Sequence, residues 1–452
     1  MKKSICFILS ALVVLLAAGC KKFLDEKPDI KLDIPSSLAD FQALLDRYPV
    51  MNTADASAGE TSADNYYLFT ADYLSLPIAT FQAMYTWQKD NVFAPQNNDW
   101  YGCYRPVFSA NTILEGLKSL SVTAQNRSDY NNVKGQALFV RGKAFLMAAG
   151  IWAPAYDPAA APGQLGIPVR LGADFNQRSV RSTVQGSYDQ LVSDLTAAAA
   201  LLPVKPLTPE RASKPAAFAM LARVYLNMRE YTKAGLYADS CLQLYNTLLD
   251  YNKLKSASSF PFPKFNAEVI YDSQLGNGST LTNTRARIDT VLYLSYAAND
   301  LRKSLFFKAG TNGSHVFRGS YEGSAPLFSG VATDEVYLMR AECYARSGNV
   351  ALAMADLNKL LVNRFVSGTF VPYTAATGND ALAQVLLERR KELLMRGVRW
   401  NDLKRLNKEG ANITLVRNVN GQTYTLPPND PRYAIAIPDD IVLLTGMPQN
   451  PR

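Results

Sequence analysis

Residues 333–365 read TDEVYLMRAECYARSGNVALAMADLNKLLVNRF, and residues 381–410 continue ALAQVLLERRKELLMRGVRWNDLKRLNKEG. In the first stretch Val336, Met339 and Cys343 recur three or four apart, the spacing of one helical face. Ser347-Gly348-Asn349 ends that pattern, because Gly and Asn accept the left-handed backbone that closes a helix. Leu352, Ala353, Leu357 and Leu360 then start a second apolar stripe. Small residues such as Ala341, Ala345, Ala351 and Ala355 let the two helices approach closely. Such a hairpin cannot bury its apolar face alone, so it predicts stacked neighbours of its own kind.

The unit recurs upstream. Ala217–Leu242 reads AFAMLARVYLNMREYTKAGLYADSCL, and one constant shift puts Met220 on Met339, Ala222 on Ala341, Tyr225 on Tyr344 and Ala234 on Ala353. This predicts a mainly α scaffold of tetratricopeptide-like pairs with large insertions between them. Helical pairs are expected over about 133–202, 213–245 and 333–408. Ser37 caps a further helix whose stripe is Leu38, Phe41, Leu44 and Leu45. Trp100–Leu120 reads as helix around Pro106. Glu268–Ser273, Val291–Tyr296 and Tyr424–Ile437 read as short strands.

The chain has 452 residues, a formal charge of +8, five cysteines and a single histidine. Its densest basic run, Arg389–Lys408, is interleaved with Glu392 and Asp402, an ion-paired face rather than a nucleic-acid stripe. At the N-terminus, Lys2 and Lys3 precede the apolar stretch Ile5–Leu16, too short to span a membrane. The stretch ends LLAAGC. Small residues before Cys20 resemble a bacterial lipobox, which implies a signal peptide over 1–19, lipid attachment at Cys20 and a tether over 20–37. Acyl chains would anchor the body without a transmembrane helix. Removing Lys2 and Lys3 leaves +6. Cys103, Cys241 and Cys343 lie in apolar helical contexts without a CxxC, and read as buried thiols; one disulfide is compatible but not required.

Two parts of the expected domain, 38–452, are irregular. Residues 51–98 set Tyr66, Tyr67, Tyr73, Tyr85 and Trp87 among Asp64, Asn65, Asp72 and Asn91. Sugar recognition uses this mixture, since pyranose C–H faces stack on rings while amides and carboxylates bond hydroxyls. The same rings can equally anchor loops to a helical body. Residues 251–332 are the second such part, rich in Gly, Ser, Asn and Tyr, and insertions on one face of a helical array often carry binding surfaces.

The start CKKFLDEKPD, the helical pairs, NDLRKSLFF and above all ERRKELLMRGVRWNDLKRL resemble the SusD/RagB family over nearly the whole mature chain. The resemblance implies a SusD-like fold with a loop-rich, minor-β subdomain that carries the ligand site. It also implies a surface-exposed, outer-membrane lipoprotein that captures glycans, or in some cases peptides. These pass to a SusC-like TonB-dependent β-barrel. Glu388, Arg389, Arg390, Arg399, Trp400 and Asp402 match the family signature and are assigned to packing and ion pairing. By position, Asp64, Asn65, Tyr67, Tyr73, Trp87, Tyr293 and Tyr296 are the ligand candidates. No cofactor or metal is expected. Catalysis is not expected either: HExxH, GxSxG, GxxxxGK[ST] and GxGxxG are missing, and His315 sits alone in a loop. A pure protein-interaction scaffold fits the repeats as well.

Overall fold

A computed structural model describes residues 35–452 apart from residue 277. The signal-peptide and Cys20 readings lie outside the described residues, as does the tether up to residue 34. Helix α1, Leu38–Leu45, opens on a capping box: the Ser37 hydroxyl accepts from the Asp40 N–H, and the Asp40 carboxylate accepts from the Ser37 N–H. This satisfies two of the amides a helix start leaves unpaired. Helix α2, Asp99–Gly116, carries Pro106 inside it. Helix α3, Arg127–Trp152, pairs with α4, Val184–Leu201. Gly135 and Gly142 on α3 let them touch, since a Cβ at either would stand 2.9 Å from the Cγ of Leu202 or Leu195.

Next come α5, Lys214–Asn227, and α6, Tyr231–Leu244. A short helix α7, Thr290–Leu294, lies in the long insertion, followed by a single turn at Arg302–Leu305. The stretch that predicted the fold forms α8, Thr333–Arg346, and α9, Val350–Leu361, with Gly348 at φ +77° in the turn between them. Helices α10, Gly378–Glu392, and α11, Arg399–Lys408, follow; α10 packs on α8 and α9, and the Arg389–Asp402 ion pair ties it to α11. Neighbouring pairs touch in succession, α4 on α5, α6 on α8 and α8 on α10, as stacked repeats require. The protein is mainly α, built from stacked helical pairs as the sequence predicts.

The strands form two-stranded antiparallel ladders. Tyr66–Tyr67 (β1) pairs with Arg287–Ile288 (β5), Leu165–Pro168 (β2) with Arg181–Thr183 (β3), and Val269–Tyr271 (β4) with Val331–Ala332 (β8). Phe307–Ala309 (β6) pairs with His315–Phe317 (β7), and Leu415–Val419 (β9) with Gln422–Leu426 (β10). Two strand expectations are corrected. Val291–Tyr296 is not a strand: the Asp289 side chain accepts from the Leu292 N–H and caps α7 instead. The C-terminal strand starts at Gln422 and stops at Leu426, because Pro427 and Pro428 cannot donate to a ladder.

The helical body has a long apolar core that includes Phe139, Phe145, Trp152 and Trp400. The insertion builds a second, aromatic core around Tyr251, Phe262, Phe306, Tyr321 and Phe328. Cys103, Cys241 and Cys343 are buried free thiols. Among the described residues, no helix is long and apolar enough to cross a membrane.

Candidate ligand face

The C-terminal half of α10 joins the two cores through buried charge. Arg302, fully buried, meets Asp300 at 2.7 Å, Glu388 at 2.6 Å and Glu392 at 2.9 Å. Arg364 bridges Glu392 and Glu268 at 2.7 and 2.8 Å, and Arg396 meets Asp334 at 2.7 Å. Arg389 and Arg405 both hold Asp402, at 2.9 and 2.8 Å. Burial raises the Asp402 carboxyl, but the two guanidiniums outweigh it and bring it to about 2. Glu268, Asp334 and Glu392 bring carboxylate oxygens within 4.8 Å of one another, a spacing that would suit a cation. Here Arg364, Arg302 and Arg396 supply the counter-charge.

One arginine of the same helix turns outward. Arg390 donates to the Asp64 carbonyl at 3.0 Å and to Asn65 Oδ1 at 3.4 Å, and lies 3.7 Å from Asp289 at the start of α7. Asp64 also accepts from Nε and Nη2 of Arg399, at 2.7 and 2.9 Å. Burial pushes the Asp64 carboxyl up; the Arg399 guanidinium overrides it and holds it at about 2. The N-terminal irregular segment, the central insertion and the signature helices therefore meet at one place. The side chains of Asp64, Arg390 and Asp289 keep 20, 23 and 34% of their surface there. Val291 and Leu294, one helical turn apart on α7, are 75 and 68% exposed.

The seven candidates divide by burial. Asp64, Tyr67 and Tyr293 keep open surface. Tyr67 meets Phe69 edge to face at 5.6 Å, while Tyr293 stacks on His315 at 3.5 Å with Lys303 5.1 Å from its ring. The other four are interior. Asn65 is buried and donates to Glu60 at 3.0 Å. Tyr73 packs on Tyr85 at 6.0 Å. The Trp87 indole N–H donates to the Ser62 carbonyl at 2.9 Å and Arg417 lies 4.6 Å from its ring. The Tyr296 hydroxyl donates to the Lys391 carbonyl at 2.7 Å. All four tryptophans of the chain are buried, so open stacking surface comes from tyrosine and phenylalanine. Arg390 and Asp289 were not among the candidates. Arg390 lies inside the signature, where ion pairing was expected, and nothing in the local sequence marks Asp289.

A second opening, of about 300 Å3, lies between Thr53, Asn97, Tyr101 and Arg105 of the N-terminal part and Gly276 of the insertion.

Two family models match the chain. SusD-like_3, described as starch-binding and associating with the outer membrane, covers residues 22–226; the SusD family model SusD_RagB covers 334–440. The chain belongs to the SusD/RagB family. A SusD superfamily structure from Bacteroides thetaiotaomicron superposes with a TM-score of 0.74 at 20% identity, covering 92% of this chain and 100% of that one. A putative sugar-binding protein from Bacteroides vulgatus gives 0.72 at 20% identity, with 93 and 99% covered. A SusD superfamily protein from Bacteroides fragilis gives 0.72 at 22% identity, with 92 and 99% covered. No curated protein matches the chain.

Proposed function

We propose that this chain is a non-catalytic, lipid-anchored outer-membrane protein that captures glycans and delivers them to a SusC-like TonB-dependent β-barrel. Capture takes place on the face built by Tyr67, Tyr293, Asp64, Arg390 and Asp289. The observation that carries this reading is the convergence on Arg390 of both irregular segments, within a family described as starch-binding and outer-membrane-associated. Partly exposed rings offer stacking surface, and partly open carboxylates and a guanidinium offer bonds to hydroxyls. Similar structures described as sugar-binding or carbohydrate-binding proteins support the ligand class. A peptide ligand would keep the uptake role.

The test is a binding screen of oligosaccharides, polysaccharides and peptides, followed by calorimetry on Tyr67→Ala and Tyr101→Ala. Loss on Tyr67→Ala supports the proposed face, whereas loss on Tyr101→Ala alone moves capture to the opening beside Tyr101. A peptide-only hit replaces the ligand class. Cys20→Ala should release the chain from the membrane fraction, and retention there would remove the lipid anchor from the account.

A further inference from the structure

A cleft of about 380 Å3 opens beside the end of α3, between Pro154 and Ala155 on one side and Pro431 and Tyr433 on the other. Lys404 of α11 lines it. This side chain is 95% buried and donates to the Gly150 carbonyl at 2.8 Å and the Ala153 carbonyl at 2.6 Å. Both acceptors belong to the C-terminal end of α3, whose last carbonyls lack helical partners. The third N–H has no partner among the described residues. Lys404 differs here from the other buried lysines. Lys143 meets Asp55 at 2.5 Å and Lys391 meets Glu388 at 2.7 Å, while Lys404 enters no ion pair among the described residues. Burial without a counter-charge pushes its ammonium down to about 7.

A second polar atom of the cleft is also unspent: Gln164 Oε1 is buried without a hydrogen-bond partner. Lys408, one turn along α11, stands exposed on the rim, 3.8 Å from Asp157. Asp430, also in the lining, is taken up by Arg432 through bonds of 2.9 and 2.8 Å. The cleft thus joins apolar walls to one free ammonium N–H, one free amide oxygen and a rim cation. An uncompensated buried charge is costly, and a ligand bringing the opposite charge removes that cost. The volume falls within the range of small-ligand sites.

We propose that this cleft binds a small carboxylate-bearing solute of about one pyranose ring, such as a hexuronate, whose carboxylate meets Lys404 and whose hydroxyl donates to Gln164 Oε1. It is separate from the face around Arg390 and shares no residue with it.

The experiment is calorimetric titration of D-galacturonate and D-galactose, which share a ring and differ at the carboxylate, into the full chain and into K408E and Q164L. Galacturonate binds, and galactose binds at least about tenfold more weakly. K408E reverses a rim charge without touching the core, and weakens galacturonate by about tenfold at unchanged melting temperature. Q164L weakens it less. Equal affinity for the two sugars overturns the proposal. So does no heat from galacturonate up to about 10 mM, or a K408E protein that binds like the parent; Lys404 would then serve only to cap α3.

Discussion

Arg302 and Arg390 both pair with carboxylates around the same helix, but one is sealed and the other is half open. Arg302 spends its guanidinium on three buried carboxylates and shows no surface. Arg390 reaches two loops and keeps nearly a quarter of its side chain in solvent. The sealed network fixes how the insertion sits on the helical body, while the open one is left to meet something else. The family matches do not follow that division. They cover the N-terminal half and the signature region, and the long insertion carrying α7 lies between them. Scaffold and candidate capture surface therefore share a helix, and each draws residues from both the matched regions and the insertion between them.

The largest expected effect breaks the sealed side. Glu392→Ala leaves Arg302 and Arg364 each short of a buried partner, and should cost about 3–5 kcal/mol in urea denaturation. A loss below about 1 kcal/mol would mean that the network does not join the two cores.

Trp87→Ala comes next. A buried indole removed from the core should cost about 3–5 kcal/mol, with saccharide affinity kept in the folded fraction. A normal melting temperature with lost binding would return Trp87 to the ligand face.

A subtler contrast is one of pH. Glu60 and Asp64 lie four residues apart with opposite shifts. Burial raises the Glu60 carboxyl to about 7, against hydrogen bonds from Asn65 and the Gly397 N–H. Asp64 is held at about 2 by Arg399 despite its burial. Glu60 binds its proton more tightly folded than unfolded, near 4.5, so its contribution is present below that pH and is lost as pH rises through about 7. Asp64 does the reverse: its contribution is present above its unfolded value of 3.8 and is lost as pH falls through about 2. Glu60→Gln should therefore flatten the fall in stability between about pH 5 and 7. Denaturation midpoints at several pH values check it, and an unchanged slope would show that Glu60 titrates normally.

The helical scaffold was legible because it is written locally. Val336, Met339 and Cys343 repeat along one face, and Gly348 marks the turn. The signature's ion pairing was legible as a charge pattern, but its partners were not: Arg302 and Arg364 come from segments far from Glu392 in sequence. The same limit affected the ligand candidates. An aromatic ring among polar neighbours reads alike whether it faces solvent or core. Trp87 is decided by Ser62 and by Arg417, which lies more than three hundred residues away. Tyr296 is decided by the Lys391 carbonyl. Asp64 and Asn65 are adjacent in sequence, yet one keeps surface and the other is buried against Glu60.

The most direct test of the division between scaffold and capture face is one paired measurement: calorimetry of the best-binding oligosaccharide on the parent and on Tyr67→Ala, with melting temperatures of both. The account predicts affinity lower by about tenfold, equivalent to about 1.4 kcal/mol, with the melting temperature nearly unchanged. Parent-like affinity in a stably folded Tyr67→Ala protein would contradict it.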